Sequence, residues 1–285
     1  MKTCKSPPLG STVAARSLRL AVSAPVEAML IVSESFETYT AGQTLNTQGS
    51  AGDGWSGAWT ATTQNWERAW VDDSDVMGAG NAVRAYTANN DAYHSSFNRG
   101  ITATNLNVVY MSFLLRYDDV DFGLTDATDS DTLIRVNTSE MGRPFGISVG
   151  STTGNLGAIL REGTVTGPGA TLQDGTTHQI VLRFEQVSSG WGQSRLDVWL
   201  DPGAESNTPV LTATGGSLTN ESTVTINNFL ATLHHSGSSS NAGTYFDELH
   251  IGTTWDSVNV IPEPGTLVLL SIALGSLLLF RRRSR

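Results

Sequence analysis

Between Met29 and Val260 this 285-residue chain contains no lysine and no cysteine; Cys4 is its only cysteine. No disulfide and no thiolate metal site can therefore form in the body of the protein. Cations are scarce there as well: nine arginines face 25 aspartates and glutamates, a net charge of −16 within a whole-chain value of −10. So acidic a body does not neutralise nucleic-acid phosphates and is repelled by anionic lipid. It suits solubility and can attract divalent cations. Long helical patterns are missing too. Without crossover helices, a parallel α/β architecture is disfavoured. No phosphate-binding loop occurs, because GAGNAVRAY from Gly78 runs into a strand rather than a helix.

What the body has instead is a series of short alternating or β-branched runs. Strands are expected near Ile31–Phe36, Ala82–Tyr86, Tyr93–Phe97, Val108–Tyr117, Thr132–Val136, Phe145–Val149, His178–Glu185, Arg195–Leu200, Val210–Thr214, Thr223–Leu233 and Tyr245–Gly252. Gly, Asn, Asp and Ser separate them, the spacing of an all-β sandwich or barrel. In QIVLRFEQ, Ile180, Leu182 and Phe184 share one face, while Arg183 and Glu185 take the other. In SRLDVWLDP, Leu196, Val198 and Leu200 alternate with Asp197 and Trp199, so the two runs read as a hairpin.

The two ends differ from the body. Residues 1–28 form an expected secretory leader: Lys2 and Lys5 give a basic start, Arg16 and Arg19 interrupt a modest apolar stretch, and Val26 and Ala28 are small residues before a cleavage point. At the other end, IPEPGTLVLLSIALGSLLLFRRRSR holds fifteen uncharged residues, Thr266 to Phe280. As a helix they span ~22 Å, short of a ~30 Å hydrocarbon core. Arg281, Arg282 and Arg283 extend the reach by snorkelling and mark the cytoplasmic end of a transmembrane helix, with the acidic body outside. Pro262 and Pro264 keep the residues before the span out of helix.

Pro-Glu-Pro, then an apolar span, then terminal arginines resembles the PEP-CTERM sorting signal of exported bacterial proteins. The resemblance implies that Pro262, Glu263 and Pro264 are read by an exosortase-type processing enzyme. The membrane anchor is then transient, and the mature form stays at the cell surface or in the extracellular matrix. Three further stretches, SESFETYTAGQ with GWSGAW, HQIVLRFEQ with RLDVWLDP, and FDELHIGTTWDSV, resemble the concanavalin A-like, laminin-G-like jelly-roll sandwich. Residues 29–258 are its expected extent, and 259–285 the sorting signal.

Chemistry is sparse in this pattern. A glycosidase needs two facing carboxylates, and the Glu-x-Asp-x-(x)-Glu strand motif of this fold's glucanases is absent; Glu34 and Glu37 have the wrong parity for one strand face. The expectation is a non-catalytic protein. A lectin module for exopolysaccharide is the alternative, and a glycoside hydrolase a further one. Asp72, Asp73 and Asp75, then Asp118, Asp119 and Asp121, then Asp126, Asp129 and Asp131 form acidic clusters of the kind that solvated turns favour. Asp247 shares strand parity with Leu249 and Ile251 and is expected to face inward, where a carboxylate needs a partner. No cofactor is required by this pattern; Glu37, on a first strand lying beside the last, could meet Asp247 around a structural Ca²⁺, the alternative being that Asp247 accepts backbone N–H bonds or pairs with an arginine. The five histidines show no His-Glu-x-x-His spacing and are expected to be structural. Trp55, Trp59, Trp66 and Trp70 are expected as core anchors, with sugar stacking as the alternative.

Overall fold

The computed structural model describes residues 28–50, 52–61, 68–73, 80–86, 93–118, 132–138, 144–150, 153–161, 163–187, 193–216, 223–235 and 243–259. Fifteen strands occur in chain order: β1 (Leu30–Glu34), β2 (Thr60–Ala61), β3 (Arg68–Asp72), β4 (Ala82–Tyr86), β5 (Tyr93–Leu106), β6 (Val108–Asp118), β7 (Thr132–Thr138), β8 (Pro144–Val149), β9 (Asn155–Leu160), β10 (Gly163–Thr171), β11 (Thr177–Gln186), β12 (Gln193–Leu200), β13 (Leu211–Gly216), β14 (Val224–His235) and β15 (Gly243–Gly252). One short helix, α1 (Trp255–Val258), follows them. They make an all-β sandwich of two antiparallel sheets. One runs β13-β12-β11-β6-β15-β4-β3, with β1 also paired to β15; the other runs β10-β9-β8-β7-β14-β5-β2.

Every expected strand is present, and the alternation read in β11 and β12 holds. Ile180, Leu182, Phe184, Leu196 and Val198 are buried in the common core, and β11 pairs with β12 from Ile180–Leu200 to Gln186–Ser194. The structure adds β2, β3, β9 and β10. β10 carries Pro168 and lies at a sheet edge, where a missing N–H costs least. Phe36, Trp59, Phe97, Phe229 and Phe246 form one aromatic cluster between the sheets, with ring centroids 5.5–6.4 Å apart.

A second, smaller core sits on the outer face of the larger sheet. Trp255 and Val258 of α1 pack on Tyr110, Val181 and Trp199. Thr254 and Ser257 close a capping box at the helix start, which satisfies two otherwise orphaned amides. Ser112 donates to the Val258 carbonyl at 2.6 Å, and Gln179 reaches Asn259 at 2.9 Å. The chain is thus clamped to the sandwich up to Asn259. Pro262, Glu263, Pro264, the 266–280 span, Arg281, Arg282, Arg283 and the leader to residue 27 lie outside the described residues. Among the described residues no helix is long and apolar enough to cross a membrane.

Candidate functional site

Charge is divided unequally between the sheets. The strands of the eight-stranded sheet carry seven acids: Glu34, Asp72, Asp118, Glu185, Asp197, Asp247 and Glu248. The strands of the seven-stranded sheet carry none. Their two arginines have opposite fates. Arg99 is turned into the core, and Arg135 stands on the outer face, in register with Gly146 on one side and Leu230 on the other. A Cβ on Gly146 would come within 2.8 Å of the Arg135 Cβ, so the glycine leaves the arginine its space. Arg135 Nε is buried and donates no hydrogen bond among the described residues. Around it the outer positions mix amides and hydroxyls with Leu133 and Leu230. Asn98 pairs in register with Leu230, Asn137 lies 3.4 Å from Asn228, and Ser96 and Thr232 share a hydrogen bond at 3.0 Å.

Among the described residues Arg99 makes a deeply buried polar constellation. On β5 it follows the inward parity of Phe97 and Ile101; across the sandwich, Glu34 follows Val32 on β1. Arg99 donates to the Glu34 carboxylate at 2.9 Å and to the Gly57 carbonyl at 2.6 Å. Tyr39 donates to the same carboxylate at 2.8 Å, and Trp59 Nε1 donates to the Tyr39 hydroxyl at 3.1 Å. The guanidinium lies 4.8 Å from the Trp55 ring and 5.4 Å from the Trp59 ring. Burial raises the Glu34 pKa against the pull of Tyr39, the Phe36 amide and Arg99. Burial lowers that of Arg99, and burial with the Glu34 charge pushes Tyr39 up to about 12. Both partners of the ion pair are thus more penalised by leaving water than rewarded by meeting. Trp55 and Trp59 are the core anchors expected of them, with Arg99 held between core and rim. Trp66 lies outside the described residues.

The expected pair Glu37 and Asp247 is brought to one region by a different route than parity. β4 pairs with β15 at Thr244–Phe246 and β1 pairs with it from Leu249 to Gly252, both along the same side. In the gap between them β15 bulges: its register with β6 shifts between Asp247 and His250, and Glu248 has φ 50°. The core face passes from Phe246 to Leu249, so Asp247 does not share parity with Leu249 and Ile251, which corrects the sequence reading. It is nonetheless 2 % exposed, held in the bulge by the Glu248 amide at 2.7 Å. Its pKa is pushed up to about 9, first by burial and then by the negative charges of Glu248, Glu37 and Glu34. Glu248 is raised by burial and by Glu37. Glu37 accepts from the Asn81 amide at 3.0 Å, and a Cβ on Gly80 (φ 79°) would overlap its carboxylate. Among the described residues no three His, Cys, Asp or Glu side chains already stand close enough to hold a metal. Glu37 and Asp247 are the carboxylates that would do so, Asp247 being buried with no ion pair among the described residues.

The remaining candidates are structural where they are described. Asp72 pairs with Arg84 and Asp118 with Arg116; Asp75, Asp119, Asp121, Asp126, Asp129 and Asp131 lie outside the described residues. His178 Nε2 accepts from the Gln173 amide while Nδ1 meets Asp201 at 2.7 Å, which makes Nδ1 the protonated nitrogen. His250 is buried against the Glu248 carbonyl at 3.1 Å, and burial lowers its pKa. His94 and His234 are backbone partners across β5 and β14.

The chain matches no family model and no curated protein. Solved structures with a similar fold include an endo-β-1,4-glucuronan lyase from the fungus Trichoderma reesei (16 % identity, 77 % of this chain and 98 % of that one, TM-score 0.48). An alginate lyase from Aplysia kurodai aligns at 12 % identity over 65 % of this chain and 87 % of its own, TM-score 0.45. The binding domain of a paraclostridial mosquitocidal protein aligns at 10 % identity over 79 % of this chain and 48 % of its own, TM-score 0.45. Lyases and a binding domain occur together at this level of likeness, which carries no activity across.

Proposed function

We propose that this chain is an exported bacterial surface or extracellular-matrix protein whose sandwich holds an acidic exopolysaccharide without cleaving it. The observation that carries the binding half is the acid-free seven-stranded sheet in a protein with 27 acidic residues. A polyanion is repelled by the rest of the molecule and meets here Arg135 among amides and hydroxyls. A two-carboxylate hydrolysis would have to draw its acids from outside these strands. Ca²⁺ at Glu37 and Asp247 is the cofactor of this reading, holding the seam between β1 and β4 and neutralising its acids. The PEP-CTERM resemblance supplies the export half: Pro262, Glu263 and Pro264 are recognised by an exosortase-type enzyme after the 266–280 helix has lodged in the membrane with Arg281, Arg282 and Arg283 inside.

Native electrophoresis of the full chain through gels containing alginate or polygalacturonate tests the binding half. Retardation by an acidic polymer is expected, with an apparent Kd at least fivefold weaker in Arg135→Ala and an unchanged melting temperature. Equal retardation of the variant would refute the assignment of the face. An ultraviolet-absorbing unsaturated uronate appearing in the mixture would refute the non-catalytic role. For the export half, mass spectrometry of the mature termini from hosts with and without an exosortase should show loss of everything beyond the Pro-Glu-Pro region only when that enzyme is present. An intact C-terminus in both hosts would make the tail a plain membrane anchor.

A further inference from the structure

A cavity of about 240 Å³ lies at the opposite sheet's β3–β4 edge, lined by Gly42, Trp70, Val71, Asp72, Asp73 and Arg84. It is a built feature. β3 ends the eight-stranded sheet, yet its outer edge is bracketed by the segment before it. Gly42 donates to the Val71 carbonyl at 2.8 Å, Val71 donates to the Gln43 carbonyl at 3.0 Å, and Thr44 forms an antiparallel bridge with Trp70. The cavity opens where this bracket meets the sheet. Ala69 and Val71 of β3 face the core, so Trp70 and Asp72 stand on the outer side. Trp70 is in register with Arg84, and Arg84 with Tyr245. The Arg84 guanidinium lies 5.3 Å from the Tyr245 ring and bonds Asp72 at 3.4 Å, so it is held in place from two sides.

We infer that this cavity is a saccharide-binding site for one neutral sugar ring at the end or branch of a glycan. The indole offers a broad apolar face to the C–H side of a pyranose, while the ring's hydroxyl edge needs planar polar groups of both kinds. Asp72 and Asp73 accept and Arg84 donates. The charges decide the class of sugar. A uronate or sulfated ring is repelled by Asp73 and by Asp72, whose charges the single Arg84 does not balance, and a neutral ring meets no such repulsion. The volume, below the ~300–1,000 Å³ of drug-sized pockets, suits a single ring. The site is independent of the Arg135 face, on the other sheet and of opposite charge preference. Together they describe a protein able to tie two kinds of glycan.

Native electrophoresis of the full chain through gels containing laminarin, mannan, galactomannan or hydroxyethylcellulose tests this. At least one neutral polymer should retard the protein. Trp70→Ala should weaken the apparent Kd at least tenfold and Asp73→Lys, at the exposed mouth, at least fivefold, with Asp73→Lys melting as the wild type does. Should Trp70→Ala fail to fold, Asp73→Lys alone decides. Arg135→Ala should leave neutral-polymer binding unchanged, which separates the two sites. No retardation by any of these polymers, or full binding by folded Trp70→Ala or by Asp73→Lys, would overturn the inference. Loss in Trp70→Ala of binding to alginate instead would overturn the assignment of a neutral ring.

Discussion

Arg99→Met is expected to destabilise the sandwich by about 3–5 kcal/mol, the cost of removing one member of a buried ion pair. Arg99 and Glu34 are 1 % and 3 % exposed, so no water replaces the lost partner. The carboxylate would keep Tyr39 and the Phe36 amide, but its charge would stand uncompensated in the core. The Gly57 carbonyl would lose its donor, and Trp55 and Trp59 the cation beside them. A domain of this size shifts by roughly 2–4 °C per kcal/mol, so the melting temperature should fall by about 10 °C. Glu34→Gln in the same chain keeps an acceptor for the Phe36 amide and removes the orphaned charge. Glu34→Gln/Arg99→Met should therefore recover a large part of the loss. A single-variant cost under about 1 kcal/mol, the range of an exposed pair, would show that water reaches the clamp.

The opposite sign is expected for Asp247→Asn in a chelator at pH 8: stabilisation by roughly 2–4 kcal/mol, because the folded wild type must take up a proton that the amide does not need. The Asp247 pKa is raised from 3.8 to about 9 by burial and by three neighbouring acids. A group that binds its proton more tightly when folded contributes stability that is complete below its unfolded pKa. That contribution fades as pH climbs through the folded value. Metal-free wild-type protein should therefore lose stability between about pH 4 and pH 9, and the asparagine variant should lose less. The amide oxygen still accepts from the Glu248 N–H, so the bulge survives. Added Ca²⁺ should raise the melting temperature of the wild type and reverse the variant's advantage over it. Thermal melts across pH, with and without Ca²⁺, read both effects. Asp247→Asn melting below the wild type in chelator would show a partner for the carboxylate other than a proton or a cation. An undiminished Ca²⁺ response in the variant would remove Asp247 from the ion's site.

Much of the fold was readable along the chain because strand faces repeat every two residues. The same rule would have flagged Arg99, which stands at an inward position after Phe97 and before Ile101, and Glu34 after Val32. It failed at Asp247, where one extra residue at Glu248 reverses every face beyond it. It also passed over β9 and β10, where NLGAIL and GTVTGPGAT are too short or too rich in glycine and proline for a pattern to show.

By itself, then, the sequence determined the class: all-β, acidic, without disulfides, with a sandwich-sized series of alternating strands between two unlike ends. Those properties depend on local order and on composition. Which residues meet was decided by tertiary structure alone. Glu34 finds Arg99 across 65 positions of chain because their strands lie in opposite sheets and face one core. Residue 42 joins residues 70–73 and 84 around one cavity because β3 ends its sheet and the early segment brackets that edge. The acids gather on the strands of one sheet because pairing order, not chain order, sorts strands between layers. Strand pairing is a long-range choice made by packing, and no short stretch of sequence contains it.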